Sequence, residues 1–468
     1  MVRFLLLLAL VSGRVAAALM SLFALAGCAS LPKLGRTPPA DLRTNAPRVM
    51  TQDGELSPAR RAALLERQDK PDEPTLLERQ LAAWPEISSE PLVAGNSTQL
   101  LVDGPENYAR VFRAIRAARD TVDIETYILE GDELGEKLLT LLMQKEAQGV
   151  QVNLLYDALG SRATPDAFLE RLSDLGVNLC EFNPILPSRG RLADLDQRDH
   201  RKQVIVDGRI AISGGINFSN VYSTGSGIGS RHEQVPRLDK GWRDTNVVVR
   251  GPAVAQFQKL FIESWQKQNC PMLAARDYFP RLRKQGDKVV GVVAASSDDA
   301  PGATYLTLLS AIRYSRQSVR LTMAYFVPDW QMRRALEDAS RHGVDVALIL
   351  PGFTDMRLVL DAGRSYYDEL LSAGVKIYEL RGALLHAKTA VIDGVWSTVG
   401  SSNLDRRSFV LNDELNTVVL GESFGRATML MFDADLRDAV RIDPDRWRRR
   451  GLEARLEEDF ARLIKYWL

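Results

Sequence analysis

The 468-residue sequence is short of histidine and cysteine and has no charge excess of either sign. Three cysteines are too few for a disulfide-built scaffold, and no Cys and His stand at metal-ligand spacing, so no zinc or other metal site is expected. The 60 basic residues are cancelled by 60 acidic ones, which argues against a dedicated nucleic-acid binder and leaves a nuclease as a distant alternative. A sustained strand pattern is missing between Ala29 and Asn96. What remains is an ordinary globular composition, 45% apolar, long enough for two or three domains.

The N-terminus reads as an export signal. Arg3 and Arg14 bracket a short apolar start, Val15 to Ala26 is an uninterrupted apolar or small run, and Leu25-Ala26-Gly27-Cys28 follows. That tetrapeptide resembles a lipobox, which implies cleavage after residue 27 and diacylation of Cys28. A membrane-spanning anchor over Phe4 to Ala26 is disfavoured, because Arg14 would sit in its middle. By analogy with bacterial lipoproteins, Ala29 after the cysteine directs the chain to the outer membrane, facing the periplasm. Cys180 and Cys270 then remain; an oxidising compartment permits a disulfide, but two buried free thiols is the preferred reading. Residues 28–96, rich in proline and charge, read as a tether with one or two short helices opening at Ser57 and Thr75. Such a tether lets a catalytic body reach a bilayer surface.

Two of the four histidines occupy matching places. Asp199-His200-Arg201-Lys202-Gln203-Val204-Ile205-Val206-Asp207-Gly208 is written again, 186 residues on, as Leu385-His386-Ala387-Lys388-Thr389-Ala390-Val391-Ile392-Asp393-Gly394. Both read H-x-K-x-x-x-x-D. Gly214 and Gly400 each follow their histidine by 14 residues, and Asn217 and Asn403 by 17. The apolar runs ending in Asp-Gly predict strands that enter tight turns. Alternation along a strand puts His200 with Lys202, and His386 with Lys388, on one face. Joined about a pseudo-two-fold axis, they gather two imidazoles, two ammonium groups and two carboxamides, a cluster suited to a phosphoryl group.

The surrounding elements repeat as well. Helix Glu106 to Arg119, strand Val122 to Ile128, helix Leu134 to Gln148 and strand Val150 to Tyr156 are echoed by helix Tyr305 to Arg316, strand Val319 to Phe326, helix Asp329 to His342 and strand Val344 to Leu350. This order predicts an α/β fold of two pseudo-symmetric lobes, 97–286 and 287–468, each a mixed sheet flanked by helices. Lobe one carries the longer entrance loop, Pro184 to Arg198. Its Arg189, Arg191 and Arg198 are placed to meet lipid headgroups, although a solvated loop is the commoner meaning of such charge. Near the C-terminus Leu452, Leu456, Phe460, Leu463 and Trp467 share a helical face, for which packing on its own lobe is preferred over lying in a membrane interface.

On its two motifs, and on Thr398-Val399-Gly400-Ser401-Ser402-Asn403-Leu404-Asp405 after the second, the chain resembles the phospholipase D superfamily from roughly Gln99 to Arg441. Within it the chain is most similar to bacterial cardiolipin synthases with two motifs; the N-terminus departs from them. The resemblance implies transfer of a phosphatidyl group from one phosphatidylglycerol to another through a covalent phosphohistidine, without cofactor or metal. His200 is then the nucleophile and His386 the acid, later the base, with Lys202, Lys388, Asn217 and Asn403 on the phosphate. Asp207 and Asp393 complete the catalytic motifs, orienting them or the opposite histidine. Glu125 and Glu414 are candidates to orient the imidazoles, and Ser219 and Asp405 to serve turns. Phospholipid substrates at a membrane surface and a monomer are expected, since both motifs lie in one chain. Alternatives are phospholipase D hydrolysis or exchange, a nuclease, and a lipoprotein that only binds anionic lipid.

Overall fold

In the computed structural model, which describes residues 47–465 apart from 73–74, 89, 186–195, 228–239 and 297–301, the valine-rich runs of both motifs become central strands of two sheets with one topology. The first sheet runs Leu92–Val102, Thr245–Arg250, Ile210–Gly214, Gln203–Val206, Thr121–Thr126, Gln151–Asp157, Asn178–Phe182. The second runs Lys288–Ala295, Glu414–Leu420, Trp396–Gly400, Lys388–Ile392, Ser318–Met323, Asp345–Pro351, Lys376–Leu380, with Ala439–Arg441 added at its edge. In each, three strands alternating with helices pair in parallel and the others antiparallel, giving the mixed α/β lobes the repeat predicts.

The lobes share a core. Ile205, Val247 and Val249 of the first sheet and Val290, Val292, Val399 and Val419 of the second pack with Phe257, Phe261 and Trp265 of the helix Val254–Lys267. Leu92–Val102 belongs to both sheets: Val93 pairs with Val290, whereas Ser97 to Val102 pair with Thr245–Arg250. The outer faces are covered by Asp103–Ala117 and Glu133–Glu146 in lobe one and by Ala303–Arg313 and Trp330–Arg341 in lobe two.

Three expectations need correction. From residue 47 on, the segment read as a tether is part of lobe two: Leu65, Leu76, Leu77, Leu81 and Trp84 are buried in its core. Gly291 is needed there, because a Cβ would come within 2.4 Å of the Trp84 ring. Cys180 and Cys270 are not free thiols but a disulfide, with Cα atoms 5.6 Å apart. It ties the edge strand Asn178–Phe182 to the chain just past the helix Val254–Lys267. The C-terminal helix Leu452–Leu463 docks through Glu458 and Ala461, leaving Leu452, Leu456, Phe460 and Leu463 exposed rather than packed on the lobe. The segment read as an export signal, Cys28, Arg189, Arg191 and Trp467 lie outside the described residues. Among the described residues no helix is long and apolar enough to cross a membrane.

Candidate active site

Each motif is held at its turn. Asp207 and Gly208, like Asp393 and Gly394, take left-handed φ values (52° and 58°, 53° and 70°), the pair of conformations that a tight Asp-Gly hairpin turn requires. Asp207 accepts from the backbone N–H groups of Asp120 (2.8 Å) and Thr121 (3.1 Å), and Asp393 from those of Gln317 (2.7 Å) and Ser318 (2.9 Å). Gln80, from the segment expected to be a tether, donates to Asp393 at 2.8 Å. The motif aspartates therefore lock the turn to the next strand, at the opposite end of the motif from the histidine. They are positioning residues, not catalytic ones, and neither orients an imidazole.

Above the turns the strands carry His200 with Lys202, and His386 with Lys388, all four buried. The lobes meet here: His200 donates its backbone N–H to Asp413 (2.9 Å) and His386 to Arg243 (2.8 Å). Each imidazole is held by an acid of the other lobe. His200 Nδ1 lies 3.1 Å from Glu414 Oε1, and His386 Nδ1 lies 2.6 Å from Asp244 Oδ2. A carboxylate on Nδ1 fixes the tautomer with its proton there and leaves Nε2 as the free nitrogen. Tyr222 Oη (3.3 Å) and Lys388 Nζ (3.0 Å) stand beside His386 Nδ1, whereas Tyr127 meets His200 edge-on. Trp242 and Tyr222 wall the His386 ring.

The small residues after each motif make this possible. A Cβ on Gly215 would fall 2.2 Å from Asp244 Oδ1, so only glycine admits that acid. At the equivalent place in lobe two, Ser401 instead donates its hydroxyl to Glu414. Gly400 and Gly214 leave room for the side chains of Asn416 and Asn246.

Glu414 lies against a motif histidine, at His200 Nδ1. Glu125 does not: it is fully buried against Gln203 and Arg201. Its strand neighbour is Gln203, which alternation turns to the face opposite His200 and Lys202. The acid that acts in its stead, Asp244, escaped the sequence reading. A signal existed, since Asp244-Thr245-Asn246 matches Glu414-Leu415-Asn416, but it was hidden by a loop 16 residues longer in lobe one.

The carboxamides differ between lobes. Asn217 accepts from the Ile128 N–H (3.1 Å) and donates to Tyr222 Oη (3.1 Å), which places it behind the His386 wall. Asn403 Oδ1 is buried and has no hydrogen-bond partner among the described residues. Ser219 and Asp405 cap turns, accepting from Val221 and Ser408 N–H. Arg198 is buried beside Asp157 and donates to the Asn183 carbonyl, so it is not a loop residue free to meet headgroups.

Burial sets the charge states. It pushes the His200 imidazole down to about 4, helped by Lys202 and opposed by Glu414, and it lowers His386, helped by Lys388. Lys202 falls to about 7 and Lys388 to about 8, chiefly through burial. Lys388 also acts on His200 and Lys202 on His386, so the two motifs share one electrostatic environment. Glu414 is held below the usual carboxylate range by His200 and Lys202, against the opposing pull of its burial. Among the described residues no group of three or more His, Cys, Asp or Glu side chains is arranged to hold a metal ion.

Two buried imidazoles and two buried ammonium groups within one electrostatic environment, each ring steadied from the opposite lobe, define a duplicated phospholipase D-like site. Comparison with known proteins agrees. The family described as cardiolipin synthase, PLD-like domain, matches residues 111–227 and 308–436. The cardiolipin synthase of Geobacillus kaustophilus (strain HTA426) is 33% identical over 381 residues, 81% of this chain and 74% of that protein. Cardiolipin synthase A of Pseudomonas aeruginosa (strain LESB58) is 35% identical over 367 residues, 78% of this chain and 72% of that one. The crystal structure of phosphatidylserine synthase from Haemophilus influenzae Rd KW20 has the same fold, with a TM-score of 0.59 at 14% identity over 82% of this chain and 99% of that one. The chain belongs to the cardiolipin synthase family of the phospholipase D superfamily. It is a phosphatidyltransferase of that superfamily.

Proposed function

We propose that this chain moves a phosphatidyl group from one phosphatidylglycerol to the glycerol hydroxyl of a second, making cardiolipin and releasing glycerol. The observation that supports it most is the crossed pairing of His200 with Glu414 and His386 with Asp244, which leaves two Nε2 atoms to serve one phosphorus. In the first half-reaction His200 Nε2 bonds to phosphorus, the bond from phosphorus to the glycerol oxygen breaks, and His386 gives that oxygen a proton. In the second, His386 takes the proton from the incoming hydroxyl, whose oxygen bonds to phosphorus as the P–N bond breaks. Lys202 and Lys388, with the Asn403 carboxamide, hold the non-bridging oxygens. Burial, helped by Lys388 and Lys202, lowers the His386 imidazole in the free site; a bound phosphodiester anion offsets the lysine charges, which favours the proton on His386 as substrate arrives.

The mature chain, on this reading, acts as a monomer anchored through Cys28 on the periplasmic side of the outer membrane, supported by Leu25-Ala26-Gly27-Cys28 and Ala29. Lobe one, 97–286, and lobe two, 287–468 with the segment from residue 47 packed into it, carry one motif each. Incubation with phosphatidylglycerol vesicles and mass analysis of the lipids tests the acceptor. Cardiolipin with one glycerol released per molecule is expected; phosphatidic acid without cardiolipin would make water the acceptor and overturn the proposal.

The pH dependence has a stated sign. kcat/KM, which reports the free enzyme, is expected to fall on the acid side as His200 protonates at about 4, and on the alkaline side first as His386, lowered from its ordinary value, loses the proton it must donate and then as Lys202 and Lys388 lose theirs at about 7 and about 8. Glu414→Gln removes a charge that raises both His200 and Lys202, so the alkaline limb moves to lower pH. An alkaline limb at the ordinary lysine value of about 10.4 contradicts this.

A further inference from the structure

The helix Leu452–Leu463 is docked by its charged face. Arg450 pairs with Glu458 (2.6 Å) and Asp368 (3.0 Å), Arg462 with Glu369 (3.0 Å), and Arg357 with Glu457 (3.3 Å), while Ala461 packs inward. Leu452, Leu456, Phe460 and Leu463 are 72, 59, 58 and 79% exposed. At about 100° per residue they fall within one sector of about 80°, opposite the sector of Glu458 and Ala461. An amphipathic helix in a water-soluble body turns its apolar stripe to the core; this one turns it away.

The helix that carries the stripe packs near the site. The helix packs on Arg357–Arg364, whose approach exposes Met356 and Leu358. The residue before them, Asp355, accepts from Tyr325 Oη at 2.8 Å, and its charge acts on Lys388. Exposed apolar side chains therefore stand on the C-terminal helix and on the segment it packs against, one residue past Asp355. Between Pro444 and Lys465 there are seven basic and five acidic side chains, with Arg446, Arg448, Arg449 and Arg455 exposed.

We infer that this face lies on an anionic phospholipid bilayer, with the stripe below the headgroups and the arginines among them, holding the mouth of the site against the lipid surface. The inference rests on the reading that the substrate is a phospholipid, whose acyl chains stay in the bilayer while its phosphate reaches the histidines. A docked stripe spares the enzyme from lifting the whole lipid out.

The full chain carrying Leu456→Cys with an environment-sensitive fluorophore tests it, with the equally treated parent chain as background. On vesicles of phosphatidylglycerol and phosphatidylcholine the emission is expected to shift to the blue and to be quenched by brominated lipid tails; attachment through the N-terminus alone would leave it unchanged and overturn the inference. In a second arm, Leu456→Glu with Phe460→Glu is expected to lower turnover of vesicular phosphatidylglycerol at least tenfold, and turnover of a short-chain analogue below its micelle concentration less than twofold. Equal loss on both substrates overturns the inference. So does a dimer of the parent chain that the double variant dissolves, because a second copy then covers the stripe. Emission that shifts on vesicles when the parent chain makes no product supports the bilayer contact and counts only against the substrate reading.

Discussion

His200→Ala is expected to lose phosphatidyl transfer by on the order of 10⁴-fold or more, because it removes the nucleophile of the covalent step and leaves His386 on the side of the departing oxygen, where it serves as the acid. His386→Ala removes proton transfer, an effect of roughly 10²- to 10⁴-fold, and its loss depends on the leaving group. With a phosphodiester whose leaving group is a nitrophenolate, which departs without a proton, His386→Ala is expected to regain a burst of nitrophenolate equal to the enzyme present. His200→Ala is expected to give none. The two histidines are both buried and both depressed in pKa, so these substitutions separate roles that electrostatics alone does not. A burst from His200→Ala and none from His386→Ala reverses the assignment.

The second large effect is on the joint between lobes. Arg243 is completely buried and donates from Nε and Nη2 to Asp435 at 2.8 and 2.9 Å, while its Nη1 donates to Thr245 Oγ1 at 2.8 Å and to the Asp244 carbonyl. Asp435 lies on the helix Glu422–Leu436 of lobe two, so this bidentate pair fastens the two halves. Arg243→Met leaves the Asp435 carboxylate buried without its cation and is expected to cost about 3–5 kcal/mol, seen as an earlier denaturant midpoint at unchanged slope. Adding Asp435→Leu is expected to restore most of that stability, since a buried pair replaced by apolar side chains is often neutral. Turnover is expected to stay low in the double variant, because the Asp244 carbonyl is no longer held and Asp244 steadies His386. An unchanged midpoint in Arg243→Met contradicts the staple.

The duplicated lobes were legible because their signal is local and repeated: β-branched runs ending in Asp-Gly, glycines at a fixed distance, helices at matching offsets. Glu414 was legible as an acid at a strand start. Asp244 was not, because the loop before it is longer in lobe one; Glu125, whose strand sits beside the motif, carries its side chain on the opposite face. Residues 47–96 misled through composition. Their prolines and charges hide a few apolar residues, Leu76, Leu77, Leu81 and Trp84, that lobe two buries, and short helices of 4 to 11 residues carry little periodicity to read. Pairing of Cys180 with Cys270, separated by 90 residues, is a tertiary fact that no local pattern encodes. For the C-terminal helix the amphipathic pattern was right and its direction wrong, because periodicity locates an apolar stripe without saying whether protein or lipid will cover it.

The most direct test is to find the covalent link. The His386→Ala enzyme, incubated with phosphatidylglycerol, quenched in alkali to preserve a P–N bond and digested for mass analysis, is expected to carry a phosphatidyl group on the peptide containing His200. A phosphatidyl group on the other motif instead, or its absence from both while the unaltered enzyme makes cardiolipin, contradicts the account.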